Sequence, residues 1–191
     1  MKSITLHVTG IHCASCVANI EQRLSKLKGI VSVNINLATK KANIEFDDKI
    51  LSKQGIANKI MGLGYEVDLS NNIDEKVEIR NIRNLFLFSL IFSIPTFIIG
   101  MLLMWLGINI PYKDYILFAL ATPVQFIVGW GIYKSALFAL KNKTANMDTL
   151  IAIGTSAAYF FSVYVVFFSV GDQYFEAATI LITFVMLGRY L

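Results

Sequence analysis

The only two cysteines of the chain, Cys13 and Cys16, are the residues whose type and spacing point most directly to chemistry. Two residues separate them, and they stand where an alternating apolar pattern gives way to one of helical period. Two thiols at this spacing converge, and a position at a helix start favours the thiolate of Cys16. Thiolates select soft metal ions, Cu(I) above all, and two of them suffice for Cu(I). We therefore predict a Cu(I) site at this pair, with Ag(I) left open because it is also soft and monovalent.

Other uses of a Cys-x-x-Cys pair fit less well. Zinc normally has four ligands, and only His7 and His12 lie nearby in sequence, so zinc ranks behind Cu(I). His7 falls on the polar side of its strand pattern and is predicted to be solvated, whereas ligation, a supporting role and simple exposure all stay open for His12. Thiol–disulfide exchange also uses this spacing at a helix start. That fold usually has a proline facing the cysteines, and the first proline here is Pro95.

The first 70 residues carry the patterns of a small mixed domain. Strand-like alternation occurs in three segments, Ile4–Val8, Val31–Leu37 and Lys41–Phe46. A helical stripe of Val17, Ile20, Leu24 and Leu27 is expected to end at Gly29, and a second helix is expected over about Leu51–Met61 before a last strand, Tyr65–Leu69. The order strand, helix, strand, strand, helix, strand predicts an α+β ferredoxin-like (βαββαβ) domain over residues 1–70.

The rest of the chain has the composition of a membrane protein. The whole sequence is 55% hydrophobic and 16% charged, with a mean hydropathy of +0.60. Charge-free stretches run over residues 84–112, 115–133 and 149–171, each near the 20 or so residues that a helix needs to cross a bilayer. We predict a polar linker over 71–83 and then an all-α membrane region over 84–191 with four helices. Their approximate bounds are 84–106, 114–140, 148–170 and 174–191.

The second predicted span changes character midway. Gly129 and Gly131 flank Trp130, and Lys134, Lys141 and Lys143 follow. Glycines mark kinks in helices, so the last part of this span is expected to turn and lie along the membrane surface.

Basic residues near the span ends set the expected orientation. The side that contains both chain ends carries most of them, which places both ends in the cytoplasm and the chain in the cell membrane. The net charge of +4 is spread over the chain, and no basic cluster alternates with exposed aromatic residues, so nucleic acid is not expected as a partner.

Several motifs resemble known families. Residues 10–16, Gly-Ile-His-Cys-Ala-Ser-Cys, resemble the Gly-Met-Thr-Cys-x-x-Cys loop of heavy-metal-associated domains. Thr-Pro-Val-Gln-Phe at 122–126, Asn-Met-Asp-Thr-Leu at 146–150 and Tyr-Phe-Glu-Ala-Ala at 174–178, with residues 181–191, resemble the copper branch of the P-type ATPases. The resemblance covers essentially the whole chain in family order. Ile11 and His12 depart from the loop pattern, and Trp130 separates the family's adjacent glycine pair.

The resemblance implies roles for several residues of the membrane region. Met147, with Asp148 beside it, would form the metal entrance, although Asp148 could equally cap its helix. Glu176 would lie on the metal exit route, with a headgroup-level carboxylate as the alternative. Gly129 and Gly131 would set the kink of a docking platform. Lys134, Lys141 and Lys143 would receive an acidic copper donor there, and the same charges would equally suit anionic lipid.

The sequence therefore predicts the N-terminal part of an ATP-driven Cu(I) exporter. Its expected partners are a copper chaperone or other Cu(I) donor, membrane lipid and the remaining ATPase domains. ATP and Mg²⁺ would bind only in the full-length enzyme, because these 191 residues contain no Asp-Lys-Thr-Gly-Thr, Thr-Gly-Glu or Cys-Pro-Cys motif. The chain itself is expected to hydrolyse no ATP. The alternative is a stand-alone, membrane-tethered copper-binding module, and a membrane thiol oxidoreductase is a weaker third.

Overall fold

The computed structural model of the protein describes residues 1–68, 75–102, 105–106, 111–168 and 171–190. The chain divides into two compact units. One unit contains Met1–Asp74 and Ser135–Met147, and the other contains Glu75–Lys134 and Asp148–Leu191.

The N-terminal domain has a ferredoxin-like fold. Its elements are β1 (Lys2–Thr9), α1 (Ala14–Leu24), β2 (Ile30–Asn36), β3 (Lys41–Phe46), α2 (Lys53–Gly62) and β4 (Glu66–Asp68). The strands form one antiparallel sheet in the order β2-β3-β1-β4. Alternate residues of β1 and β3, among them Leu6, Val8 and Ile44, are buried beneath the two helices. Period-two alternation thus gives the sheet one apolar face, as predicted.

Three boundaries in this domain differ from the sequence-based expectation. Helix α1 ends at Leu24 rather than at Gly29, and Gly29 instead adopts a φ of +95° immediately before β2. Helix α2 begins at Lys53, because the hydroxyl of Ser52 accepts a hydrogen bond from the amide of Gly55 at 3.1 Å and caps the helix. Strand β4 covers only Glu66–Asp68, and the predicted end of that strand at Leu69 lies outside the described residues.

The remaining elements are helical. They are α3 (Glu75–Phe97) with a π-helical turn (Ile98–Leu102), α4 (Lys113–Pro123) with a second π-helical turn (Val124–Val128), α5 (Trp130–Lys141), α6 (Met147–Phe168) and α7 (Phe175–Tyr190). Helix α3 begins at residue 75, inside the stretch predicted as a linker. The charge-free stretch begins only at residue 84. The polar residues before it belong to the same helix and extend it toward the N-terminus.

Within the described part of the chain, two helices are long and apolar enough to cross a membrane, Ile79–Met101 and Met147–Phe168. The pair Lys113–Val128 and Trp130–Lys141 would make a third span, bent by 54° at the break between them. Helix α7 has 16 residues, fewer than a full crossing normally needs. The structure therefore contains two or three candidate spans, and the prediction of four is not confirmed.

Candidate metal centre

The loop between β1 and α1 brings the two thiols together. Cys13 is the residue that precedes α1, with an extended backbone (φ −155°, ψ 163°), and Cys16 lies in the first turn. The carbonyl of Cys13 accepts hydrogen bonds from the amides of Cys16 (3.1 Å) and Val17 (3.3 Å), which closes this turn. The two Sγ atoms lie 3.1 Å apart and both cysteines are free thiols.

The two sulfurs differ in exposure. Cys16 is 2% exposed and packs in the apolar core, where the buried side chain of Ile11 also anchors the loop. Cys13 is half-buried at the surface of the domain. A thiolate lies about 2.3 Å from a bound metal such as zinc, so two thiolates facing each other across an ion stand up to about 4.6 Å apart. Metal binding therefore requires the sulfurs to separate, and Cys13 is the one with room to rotate.

The environment also separates the acidities of the two thiols. Partial burial would raise the pKa of Cys13, but hydrogen bonds from the Ser15 hydroxyl, 3.0 Å from its Sγ, and from the Cys16 thiol hold that pKa below its ordinary value. Burial raises the pKa of Cys16, and the neighbouring Cys13 sulfur raises it further. Cys13 is thus the thiol that ionises first and the better nucleophile at neutral pH.

Tyr65 belongs to this site, although nothing in the sequence singled it out. Its side chain is 7% exposed and packs in the domain core at the start of the segment that leads into β4. Burial raises the pKa of Tyr65, and the charge and hydrogen bond of the Cys16 sulfur raise it further. A neutral Tyr65 hydroxyl donates to Cys16, which stabilises the Cys16 thiolate. A lone tyrosine 49 positions after Cys16 gives no spacing signal, and only the fold brings the two together.

No group of three or more His, Cys, Asp and Glu side chains arranged to hold a metal ion occurs among the residues that the structure describes. His12, beside the cysteine pair, and His7, on β1, are both half-buried. His7 is less solvated than its alternation predicts, because β1 is an inner strand with β3 and β4 on its two sides. A structural zinc site needs four ligands, whereas two thiolates suffice for Cu(I).

Comparisons with known proteins agree with this chemistry. Residues 5–66 match the heavy-metal-associated domain family. The whole chain aligns at 34% identity with the copper-exporting P-type ATPase of Staphylococcus epidermidis, and it covers 26% of that protein. It also aligns over its whole length, at 37% identity, with the probable copper-importing P-type ATPase A of Enterococcus hirae, and it covers 28% of that protein. The chain belongs to the copper P-type ATPase family.

A solved structure is also similar to part of this chain. It is the solution structure of the N-terminal domain of a potential copper-translocating P-type ATPase from Bacillus subtilis in the Cu(I)-loaded state. The match has 28% identity and a TM-score of 0.34, and it covers 35% of this chain and 84% of that domain. The chain spans about a quarter of the length of the curated relatives it matches.

The predicted entrance residues, Met147 and Asp148, have contrasting surroundings. Met147 is the first residue of α6 and is 42% exposed. Asp148 is buried, and its Oδ1 accepts a hydrogen bond from Nη2 of Arg189 at 2.6 Å, in an ion pair of two largely buried side chains. The Asp148 carboxylate is therefore bound to a guanidinium. The sequence had suggested only metal ligation and helix capping for this residue. In the sequence, Arg189 is one of the basic residues near the span ends that set the expected orientation.

Glu176, the predicted exit residue, lies in the first turn of α7. It lines a cavity of about 470 Å³ together with residues of three other segments, among them Gly100, Met101, Lys113 and Asp172. Its Oε2 is buried without a hydrogen-bond partner among the described residues. A Cβ at Gly100 would lie 3.1 Å from that oxygen, so the glycine gives the carboxylate room.

The two glycines of the kink are not equivalent. A Cβ at Gly129 would collide with the backbone carbonyl oxygen of Gln125, in the π-helical turn that precedes the bend. A Cβ at Gly131 would make an ordinary contact, 3.6 Å from Nη1 of Arg189. Close backbone packing at the bend thus requires a glycine only at residue 129. Lys134, Lys141 and Lys143 follow with exposed side chains.

Proposed function

We propose that this chain captures Cu(I) at Cys13 and Cys16 and passes it to the membrane region, as the N-terminal part of an ATP-driven copper exporter. The observation that carries the proposal is the thiol pair itself, with one buried sulfur and one half-exposed sulfur that lie 3.1 Å apart. Ag(I) would bind by the same chemistry.

The different acidities of the thiols suggest an order of events. The Cys13 thiolate, with the lowered pKa, attacks Cu(I) held by the thiolates of a donor, such as a copper chaperone. The ion is then shared between the donor and Cys13. Cys16 next loses its proton to solvent, helped by the hydrogen bond from Tyr65, and replaces the last donor sulfur. The displaced donor thiolates take up protons as they leave, so the transfer is nearly neutral in protons. Binding of a free Cu(I) ion instead releases protons and weakens as the pH falls.

In the membrane region, the exposed thioether of Met147 would receive the ion, and the cavity beside Glu176 would release it on the far side. Asp148 is bound to Arg189, and its carboxylate is a hard ligand, so the soft ligand at this position is the thioether of Met147. We place both chain ends in the cytoplasm of a cell whose membrane the helices cross. Export is the direction named for the S. epidermidis relative, and ATP, Mg²⁺ and further ATPase domains would supply the driving force in the full-length enzyme.

Titration of the purified chain with Cu(I) tests capture. We expect one tightly bound ion, no tight binding in Cys13→Ser or Cys16→Ser, and unchanged stoichiometry in the matched loop variant His12→Ala. Unchanged affinity in both serine variants would show that the ion binds elsewhere.

A further inference from the structure

One face of helix α5 contacts the metal-binding domain within a single compact unit. Residues 135–147 belong to the same unit as residues 1–74. Lys134, Phe138 and Lys141 follow one another at helical spacing, so they share a face of α5. Phe138 lies against Gly64, between α2 and β4 of the domain. This is the surface on which the sequence predicted that an external copper donor would dock.

The contact at Gly64 depends on the absence of a side chain. A Cβ on Gly64 would lie 2.5 Å from Cβ and 2.6 Å from Cγ of Phe138, closer than two carbon atoms approach in real structures. Gly64 also has a φ of +95°, which glycine adopts readily. The phenyl ring therefore sits directly on the domain backbone.

Polar contacts hold the C-terminal end of the same helix. The last carbonyls of a helix lack partners within it, and a cation beside them is favourable. Here the guanidinium of Arg23, from α1, donates to the carbonyl of Asn142, just beyond the end of α5. The Asn142 amide donates in turn to the carbonyls of Phe138 (2.9 Å) and Gly62 (3.5 Å). Both helices of the domain thus contact this helix end.

Net charge does not explain the contact. Residues 1–70 contain nine Lys/Arg and six Asp/Glu, so the domain is basic, and the nearby helix face carries lysines as well. Shape at Gly64 and hydrogen bonds at the helix end must instead outweigh a mild repulsion. The contact also leaves the metal loop open, because Cys13 stays half-exposed and Ala14 and Ser15 stay exposed.

We propose that the Phe138–Asn142 face of α5 is the docking site for the chain's own metal-binding domain, and that the domain receives its metal ion while docked. An external donor then delivers to the open cysteine loop, and this helix face is already occupied. Lys141 and Lys143 keep their side chains exposed beside the contact.

Cross-linking within the whole chain tests the docking. In a Cys13→Ser, Cys16→Ser background, Gly62→Cys and Lys143→Cys place one thiol on each side of the contact. A Cβ at Gly62 meets nothing within 4 Å and Lys143 is exposed, so both substitutions fit. We expect a short bifunctional maleimide to join this pair rapidly. The control pair, Gly62→Cys with Leu137→Cys, uses a residue that is 66% exposed on another face of α5 and should react slowly.

A second substitution tests the role of the ring. Adding Phe138→Ala should slow the Gly62–Lys143 cross-link by at least about tenfold, since truncating a packed phenylalanine removes most of its contact energy. Leu140→Ala, at a 53% exposed position of the same helix, should not slow it. Added salt should not slow the cross-link either. If opposite charges held the domain on the helix, salt would screen them and slow the cross-link.

The proposal is overturned if the two cysteine pairs react equally fast, or if Phe138→Ala leaves the rate unchanged. Copper titration of Phe138→Ala with its native cysteines checks that the domain is folded. If the cysteine pairs cross-link as expected but the chain with its native Cys13 and Cys16 binds no Cu(I), the proposed function is refuted and the docking is left intact.

Discussion

The metal-binding domain and the membrane helices place their polar groups in opposite ways. Within the described residues, every buried Ser, Thr, Gln or Asp side chain lies in the helical unit, including Gln125, Asp148 and Thr183, whereas the domain buries the Cys16 thiol and the Tyr65 hydroxyl at its metal site. The domain core is apolar, and its reactive thiol Cys13 stands at the surface. The helices instead expose large apolar side chains such as Ile91, Ile94 and Leu150.

The solvent explains this difference. In water, burial of apolar groups stabilises the domain, so polar groups move outward. In a bilayer the surroundings are as apolar as the protein interior, so polar groups move inward and must find partners there. Ser93 with Thr183 (2.7 Å) and Thr122 with Tyr159 (2.8 Å) are such pairs. The paired polar groups of the helical unit therefore lie in its interior, whereas the half-exposed thiol of the domain lies at its surface.

The largest expected effect of a single substitution on stability lies at the buried ion pair. Replacing Arg189 with Gln leaves the Asp148 carboxylate buried without its cation, and breaking such pairs typically costs about 3–5 kcal/mol. Unfolding of the purified chain in mixed detergent micelles measures this cost. The exposed Arg80→Gln is the control and should change stability little.

The double variant Asp148→Asn with Arg189→Gln sharpens this result, since it removes both charges together. It should recover much of the loss. Equal stability of Arg189→Gln and Arg80→Gln would contradict the claim that the helices depend on buried polar pairs.

The next effect separates the two glycines of the kink. Gly129→Ala forces a methyl group against the carbonyl of Gln125 and should destabilise the chain by about 1–3 kcal/mol. Gly131→Ala meets only an ordinary contact, and the better helix propensity of alanine should offset any loss, by up to about 1 kcal/mol. The same unfolding assay checks both. A larger loss at residue 131 than at residue 129 would refute this account of the bend.

A smaller effect, on metal affinity, is expected at Tyr65 beside the metal site of the domain. Tyr65→Phe removes the hydroxyl that stabilises the Cys16 thiolate, so the pKa of Cys16 should rise further. A net intramolecular hydrogen bond contributes about 0.5–1.5 kcal/mol, so Cu(I) affinity at neutral pH should fall by about two- to tenfold. Competition titration measures the affinity. Thr5→Val removes a hydroxyl on the exposed sheet face, away from the site, and should leave the affinity unchanged.

The smallest expected effect is a difference in alkylation rate between the two cysteines, and its measurement needs no substitution. Because hydrogen bonds lower the pKa of Cys13 while burial raises that of Cys16, an alkylating reagent near neutral pH should modify Cys13 first. Raising the pH through the range in which Cys16 ionises should narrow the difference between the rates. Mass spectrometry of peptides from the briefly labelled chain reports both rates, and faster labelling of Cys16 would reverse the assignment.

The sequence predicted the domain better than the details of its site. Period-two alternation located the first three strands, because a half-buried sheet enforces that pattern, and the spacing of the two cysteines correctly predicted that their sulfurs lie together. Tyr65 was missed because its contact with Cys16 arises from the packing of the chain segment before β4 against α1. Such contacts leave no trace in local spacing.

In the membrane region the sequence located the apolar helices but missed one helix start and one ion pair. Charge-free stretches located the apolar helices, but α3 begins at residue 75, before the predicted span, since polar residues continue a helix as well as apolar ones do. The pairing of Asp148 with Arg189 joins residues 41 positions apart on different helices. Local pattern gave Asp148 two possible roles, and neither of them was an ion pair.

X-ray absorption at the copper edge of the Cu(I)-loaded chain tests the central claim most directly. Two sulfur ligands and no nitrogen or oxygen ligand should surround the ion. The signal should disappear in the double variant Cys13→Ser, Cys16→Ser after the same loading and washing. A histidine nitrogen in the first shell, or copper retained with the same spectrum in the double variant, would contradict capture by the thiol pair.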